Sequence, residues 1–381
     1  MPLPASTAVE ATELRGLIET TSTPSVSIYL PTVRVTAQPE QNAVLLKNAL
    51  GGINDRLVAR GIARADAVKL LEPLRSLRED RDFWNHQLEG LALLRTPDTF
   101  ERFRLPFSVR QRVVVADSPY VVPLFRPLAH GSSFYVLALS QGAVRLIECT
   151  AQGATEVDTS EFEIPLSLAE ALRFDDLQKP ESRHPTSTGP GHGDDGEDHK
   201  GQVRRYVHAV EVGITRHLSL KGAPLVLAGV DYVRAMYRET TGYAPVLPDG
   251  IDGNPDHLRP EQLLAAARPI METNFEKQMN ELRDRFETAL AHEGAACELE
   301  PVLWAAHDGR VDTLFVRDGA EDWAKVDTED RSLERSNGPA AGTEELHDLT
   351  ARRSLLKGGR VLALDDEAMP CDGPIAAIYR Y

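Results

Sequence analysis

Between residues 203 and 218 the apolar side chains Val203, Val207, Val210, Ile214 and Leu218 recur at spacings of three and four, which puts them on one face of a helix. Arg204, Arg205, His208 and Arg216 fall mostly off that face, so the outer side of the helix begins cationic. The stretch ahead of it, 184–198, carries no apolar residue able to anchor it to a core and reads as a polar, mobile loop. Lys200, Gly201 and Gln202 stand where this loop meets the helix. The pattern therefore predicts a flexible arm, 184–202, that ends at a rigid basic helix.

Elsewhere the apolar period switches between that of helix and that of strand. Residues 8–19, 41–60 and 64–77 have helical spacing, and 25–30, 91–94, 100–105 and 112–116 read as strands, giving an N-terminal α/β domain over 1–128. A Pro-rich passage, 117–127, alternates its prolines with apolar residues and reads as a linker that docks rather than flaps. A middle domain over 129–272 is expected from strands at 133–139, 143–149 and 154–157, an almost wholly apolar run at 224–230, a short helix at 231–240 and a strand near 243–247. Antiparallel strands first, then helix alternating with buried strand, is the order of a ribonuclease H-like domain.

A long helix, 261–291, which Pro269 should kink or split, leads a C-terminal domain over 273–381. Its other elements are helices at 297–306 and 343–356 and strands at 310–316, 360–364 and 375–379. Thr343 is the expected cap of the second helix and Gly358 its stop. The expected fold is α/β throughout: three consecutive α/β domains, the middle one ribonuclease H-like and the C-terminal one a small α/β sandwich.

Charge refines this picture. The 381 residues carry a net charge of −16, which speaks against indiscriminate binding to nucleic acid, DNA included. Residues 1–130 nevertheless hold 16 basic side chains against 14 acidic ones, so an RNA partner would meet the N-terminal part and the basic helix start. Arg102, Arg104, Arg110 and Arg112 recur at even spacing near the expected strands and could share one RNA-facing sheet face, with a solvated sheet edge as the alternative. No run approaches the roughly 18 apolar residues of a membrane span, and the first residues lack a secretory pattern. Cys149, Cys297 and Cys371 make no Cys-x-x-Cys pair, so neither a zinc ribbon nor a disulfide framework is indicated, and a cytoplasmic home is expected.

Several chemistries can be weighed from residue types. His184, His192, Asp194, Asp195 and His199 could bind a divalent ion, but their spacing matches no closed structural site, and no metal is expected. A nuclease of ribonuclease H type needs several strand-borne carboxylates, and the first strand, 134–140, has none. Neither a nucleophile triad nor a phosphate-binding Gly-x-x-x-x-Gly-Lys occurs, and no cofactor is expected. Asp80, Asp82 and His86 beside Trp84 read as a solvated helix end, and Trp84, Trp304 and Trp323 as core or interface aromatics.

Three features together resemble the archaeal and eukaryotic class I release-factor and Pelota superfamily, in its bacterial branch. They are Gly201-Gln202 leading into a helix of a ribonuclease H-like domain, the run His307-Asp308-Gly309-Arg310-Val311-Asp312-Thr313-Leu314-Phe315-Val316, and the stretch Cys371-Asp372-Gly373-Pro374-Ile375-Ala376-Ala377-Ile378-Tyr379-Arg380-Tyr381. In that superfamily's release factors a Gly-Gly-Gln loop enters the ribosomal peptidyl-transferase centre, where the glutamine helps to position a hydrolytic water. Gly201 and Gln202 match the second and third members, and Lys200 replaces the first.

The lysine restricts backbone conformations that glycine visits freely and adds charge beside phosphate. The resemblance thus implies a ribosome-binding translation factor, active under stress, that occupies the tRNA acceptor site of stalled or hibernating ribosomes without releasing peptide. The alternative it leaves open is a peptidyl-tRNA hydrolase, a release or rescue factor in which Gly201 and Gln202 would be catalytic. Charge and spacing make Lys200, Arg204, Arg205 and His208, with Arg102, Arg104, Arg110 and Arg112, the residues expected against ribosomal RNA. A translational GTPase stands as an open further partner.

Overall fold

The structure, a computed structural model, describes residues 11–19, 23–34, 40–126, 133–150, 153–178, 195–219 and 222–381. Three α/β segments follow one another along the chain, as the sequence predicts. They fall into two compact units, Met1–Ser132 with Gln278–Tyr381, and Ser133–Lys277.

The N-terminal segment runs α1 (Ala11–Glu19), β1 (Ser25–Pro31), α2 (Glu40–Ala49), α3 (Ile53–Ala59), α4 (Arg64–Leu77), α5 (Arg81–Asn85), β2 (Gly90–Arg95), β3 (Phe100–Leu105) and β4 (Arg112–Ala116). Its strands form an antiparallel sheet in the order β3-β2-β1-β4. Successive side chains of a strand point to opposite faces. Val26, Ile28, Leu30, Leu91 and Leu93 accordingly pack under the helices with Leu46, Leu57, Leu74 and Trp84. Tyr29, Ala92, Leu94, Phe103 and Val114 face the other way, into a core shared with the C-terminal segment. The single helix expected over 41–60 is broken into α2 and α3, because Gly52 turns the chain at φ 76°.

The middle unit contains β5 (Ser133–Leu139), β6 (Val144–Thr150), β7 (Gly153–Val157), α6 (Leu168–Gln178), α7 (Asp195–Leu218), β8 (Leu225–Gly229), α8 (Asp231–Thr240), β9 (Val246–Asp252) and the first part of α9 (Pro260–Leu290). The sheet order is β7-β6-β5-β8-β9. β5, β6 and β7 pair antiparallel, whereas β8 and β9 join β5 in parallel, which is the ribonuclease H-like arrangement expected. Helices α7 and α8 cover one face through Val203, Val207, Val210, Val233 and Tyr237. Leu263, Leu264 and Ala267 of α9 cover the other. Pro269 lies inside α9 without splitting it. Helix α6 is an element that the apolar pattern does not predict.

The C-terminal segment adds β10 (Ala295–Ala296), α10 (Leu299–His307), β11 (Val311–Arg317), β12 (Trp323–Asp327), β13 (Ser332–Ser336), β14 (Glu344–Glu345), α11 (Leu346–Leu356), β15 (Arg360–Leu364) and β16 (Ile375–Tyr379). One sheet has the order β10-β16-β11-β15, with β15 parallel to β11, and an unexpected second sheet is β13-β12-β14. Glu345 caps α11 by accepting from the amides of His347 and Asp348, whereas Thr343 bonds to Ala340 instead. Gly358 follows the helix at φ 79°, as a C-terminal stop requires.

The core of this unit draws on both segments, joining Tyr29 and Val114 to Val302, Ala305, Val316, Ile375 and Ala377. The Pro-rich passage is docked, with Val121, Val122, Leu124 and Phe125 buried. Asp348 of α11 accepts from the amides of Val121 and Val122 at 2.6 and 3.1 Å, and from Arg352 at 2.8 Å.

Candidate functional site

The basic helix is longer than its apolar stripe. Helix α7 is described from Asp195, so Lys200, Gly201 and Gln202 lie within its second turn instead of in a loop. Hydrophobic periodicity reports only the part of a helix that packs, and along α7 from His199 onward Val203 is the first buried residue. Acidic residues suit a helix N-terminus, and Asp195, Glu197 and Asp198 occupy that end. Residues 184–194 of the expected arm lie outside the described residues, and with them His184, His192 and Asp194.

Gly201 is exposed, and a Cβ added to it would meet nothing within 4 Å. Its backbone is helical, so the conformational freedom of glycine is not used here. Lys200, Arg204 and His208 follow one another at four-residue spacing, about 6 Å apart along the axis, and all three are exposed. None of the three is paired among the described residues. Arg205 and Gln202 lie on the adjoining side. With Tyr206 and Ala209 they line a cavity of about 400 Å³, whose opposite wall is formed by Ile164, Pro165 and Leu172.

Three contacts hold this helix in place. The buried Tyr206 hydroxyl donates to the Ser140 carbonyl at 2.6 Å. Ser140 in turn accepts at its Oγ from the amides of Gly142 and Ala143, closing the turn between β5 and β6. Buried Glu211 accepts from Thr215 at 2.7 Å and from the Gly242 amide at 3.0 Å, which ties α7 to the end of α8. At Gly213 the chain segment carrying Ile164 comes so close that a Cβ would collide with Ile164 and stand 2.7 Å from the Phe162 carbonyl. Sequence reasoning missed Tyr206 and Glu211 as anchors. The signal for Tyr206 was its place three residues after Val203, within the buried stripe.

The N-terminal arginines do not form one strip. Arg102 and Arg104 lie on β3 with their guanidinium groups 5.8 and 5.4 Å from the Phe83 ring, on the helix-covered face. Burial, then the neighbouring Arg102, lowers the pKa of Arg104. Arg112 stands on β4, at the other edge of the sheet, where it donates to the Tyr120 hydroxyl at 2.7 Å and pairs with Glu321 at 3.4 Å. Arg110 lies beside Gly319. Asp80 caps α5 by accepting from the Phe83 amide, and Trp84, Trp304 and Trp323 are buried.

Chemically the α7 surface offers cationic and amide groups for polyanion contact. No group of three or more metal-ligating side chains occurs among the described residues, where Asp195 and His199 both lie in α7. No helix among them is long and apolar enough to cross a membrane.

Residues 133–310 match the model of the bacterial archaeo-eukaryotic release factor family 3. Over that stretch the chain is similar to this family. The match takes in the whole middle unit, with α7 and its Gly-Gln pair, and runs on through α10.

Among solved structures the chain is similar to an archaeal protein, at 13% identity and a TM-score of 0.29 over 99% of each chain. It is also similar to the archaeal translation termination factor aRF1, at 14% identity and 0.26 over 97% of each. A third similarity is to the S. cerevisiae translation termination-like factor Dom34, at 11% identity and 0.41 over 74% of this chain and 73% of that one. No curated protein matches.

Proposed function

We propose that this chain, similar over residues 133–310 to a release-factor family, is a cytoplasmic translation factor that binds the ribosome at the tRNA acceptor site, in stalled or hibernating particles, and does not release peptide. The observation that carries this reading is the exposed stripe of Lys200, Arg204 and His208, running beside a Gly-Gln pair held in regular helix. The unpaired cations Lys200 and Arg204 on a rigid helix suit contact with ribosomal RNA phosphates near the peptidyl-transferase centre, with His208 a further hydrogen-bonding group on the same stripe. Hydrolysis on the release-factor pattern asks two adjacent glycines to bring the backbone close to the tRNA end. Here the first position is Lys200, and the second sits in an ordinary helical conformation. Arg205 belongs to the same RNA-facing group. A translational GTPase is the delivery partner to look for.

The second reading, peptidyl-tRNA hydrolysis, is favoured by one observation: Gln202 and Arg205 both line the cavity. Sucrose-gradient sedimentation of tagged protein from growing and starved cells, with a peptide-release assay on purified ribosomes, separates the two. Comigration with whole ribosomes and no release is the expected result. Release abolished by Gln202→Ala would establish the hydrolase instead, and absence from ribosomes in both states would remove both readings.

A further inference from the structure

Two of the three cysteines meet in the C-terminal segment. Cys297 lies between β10 and Glu298, the residue that precedes α10. Cys371 lies in the connection between β15 and β16, with its Sγ 3.8 Å from the Ile375 carbonyl. The pairing of β10 with β16 through Ala296 and Ala377 brings the residue after Ala296 alongside this connection. Gly373 leaves the space in which the two cysteines approach. A Cβ there would stand 3.0 Å from the Cys297 carbonyl and 3.9 Å from the Cys371 Sγ. Both thiols are half-buried, within reach of a small molecule. Burial and a hydrogen bond with Cys371 push the Cys297 thiol up to about 12.

We infer that Cys297 and Cys371 form a dithiol modification site that a peroxide closes to a disulfide, fastening the β15–β16 connection to the start of α10. The Cys371 sulfur attacks the peroxide, the O–O bond breaks, one oxygen departs as water, and the sulfur becomes a sulfenic acid. The Cys297 sulfur then displaces the remaining oxygen as a second water and forms the S–S bond. Two thiols lose two electrons and two protons, and one hydrogen peroxide is reduced to two water molecules. Cys149 takes no part, because it is fully buried in the middle unit.

The test is to treat the purified full-length chain with hydrogen peroxide, alkylate the remaining thiols under denaturing conditions, and map the peptides by mass. Free thiols should fall from three per chain to about one, with a Cys297–Cys371 cross-linked peptide that dithiothreitol reverses. Cys149→Ser should leave the cross-link intact. Cys297→Ser should abolish it and let Cys371 run on to the sulfinic acid. Three unmodified thiols, sulfinic acid in the unaltered chain without a cross-link, or a disulfide joining two chains would each overturn the inference. The map of the unaltered chain decides the matter even if a variant does not fold.

Discussion

The Tyr206 hydroxyl donates to the Ser140 carbonyl across 2.6 Å, and both groups are buried. Ser140 directly follows β5, and Tyr206 comes two residues after Arg204, so this bond sets the basic stripe against the sheet of the middle unit. Tyr206→Phe keeps the ring and orphans a buried carbonyl. We expect a loss of about 1–2 kcal/mol in urea unfolding, faster amide exchange in the first turns of α7, and weaker ribosome association.

Gly201→Ala tests whether the glycine matters as a glycine. A methyl group has open space there and the backbone is helical, so stability should rise by about 0.5–1 kcal/mol. Co-sedimentation with ribosomes should be unchanged. A chain that releases peptide and loses that ability with this substitution would instead show that α7 opens at Gly201 when it acts.

The stripe itself predicts a salt effect. Replacing Lys200 and Arg204 together by glutamine should weaken ribosome binding most at low salt. The slope of log K against log salt should fall by about 1 for each phosphate that the helix no longer neutralises. Arg216→Gln is the control, because Arg216 already pairs with Glu163 at 3.2 Å. An equal effect from both changes would mean that general charge, and not the stripe, drives binding.

Gly213 lacks room for any side chain. Gly213→Ala must push Ile164 and the Phe162 carbonyl away, and we expect a destabilisation of about 1–3 kcal/mol. Thermal melting of the variant beside Gly201→Ala would show opposite shifts from the same substitution in one helix.

Asp348 supplies a pH dependence. Burial pushes its carboxyl from 3.8 up to about 6, opposed by Arg352 and by the Val121 amide and reinforced by Glu345. A carboxyl whose folded pKa is raised contributes stability that is fully present below pH 3.8 and is lost as pH rises through about 6. Unfolding free energy should therefore decline across that window by on the order of 2 kcal/mol. Asp348→Asn should flatten that part of the profile. Parallel profiles for the two chains, measured by urea denaturation from about pH 4.5 to 7.5, would contradict this.

Much of the fold is legible in the sequence because buried strands announce themselves. β8, β15 and β16 are short apolar runs bounded by turn residues, and their places follow from that alone. What escapes is structure held by groups other than apolar ones. The first two turns of α7 carry no apolar side chain, so nothing in the pattern separates them from a loop. The β12–β13 hairpin has only Ala324, Val326 and Leu333 against a small satellite core and Trp323 in the main one, too few to alternate clearly.

The arginines show another limit. Even spacing fixes a common face only within one strand, and the turn between Leu105 and Arg112 resets the parity. Arg102 and Arg104 therefore stay together while Arg112 goes to the opposite face. Glu345 and Asp348 read in the sequence as ordinary charges near a helix start. The burial of Asp348 depends on Val121 and Val122, more than two hundred positions away.

The shared core of Tyr29 and Val114 with Val316 and Ile375 has a bearing on synthesis. The middle unit is continuous in the chain, whereas the other is assembled from stretches on either side of it. On a translating ribosome the inner unit can close as soon as it has emerged. The sheet of Tyr29 and Val114 keeps one oily face bare until the later strands are made, and Asp348 must arrive before the amides of Val121 and Val122 find their acceptor. The nascent chain thus folds from its middle outward, with the longest exposure to chaperones and proteases falling on the residues that were made first.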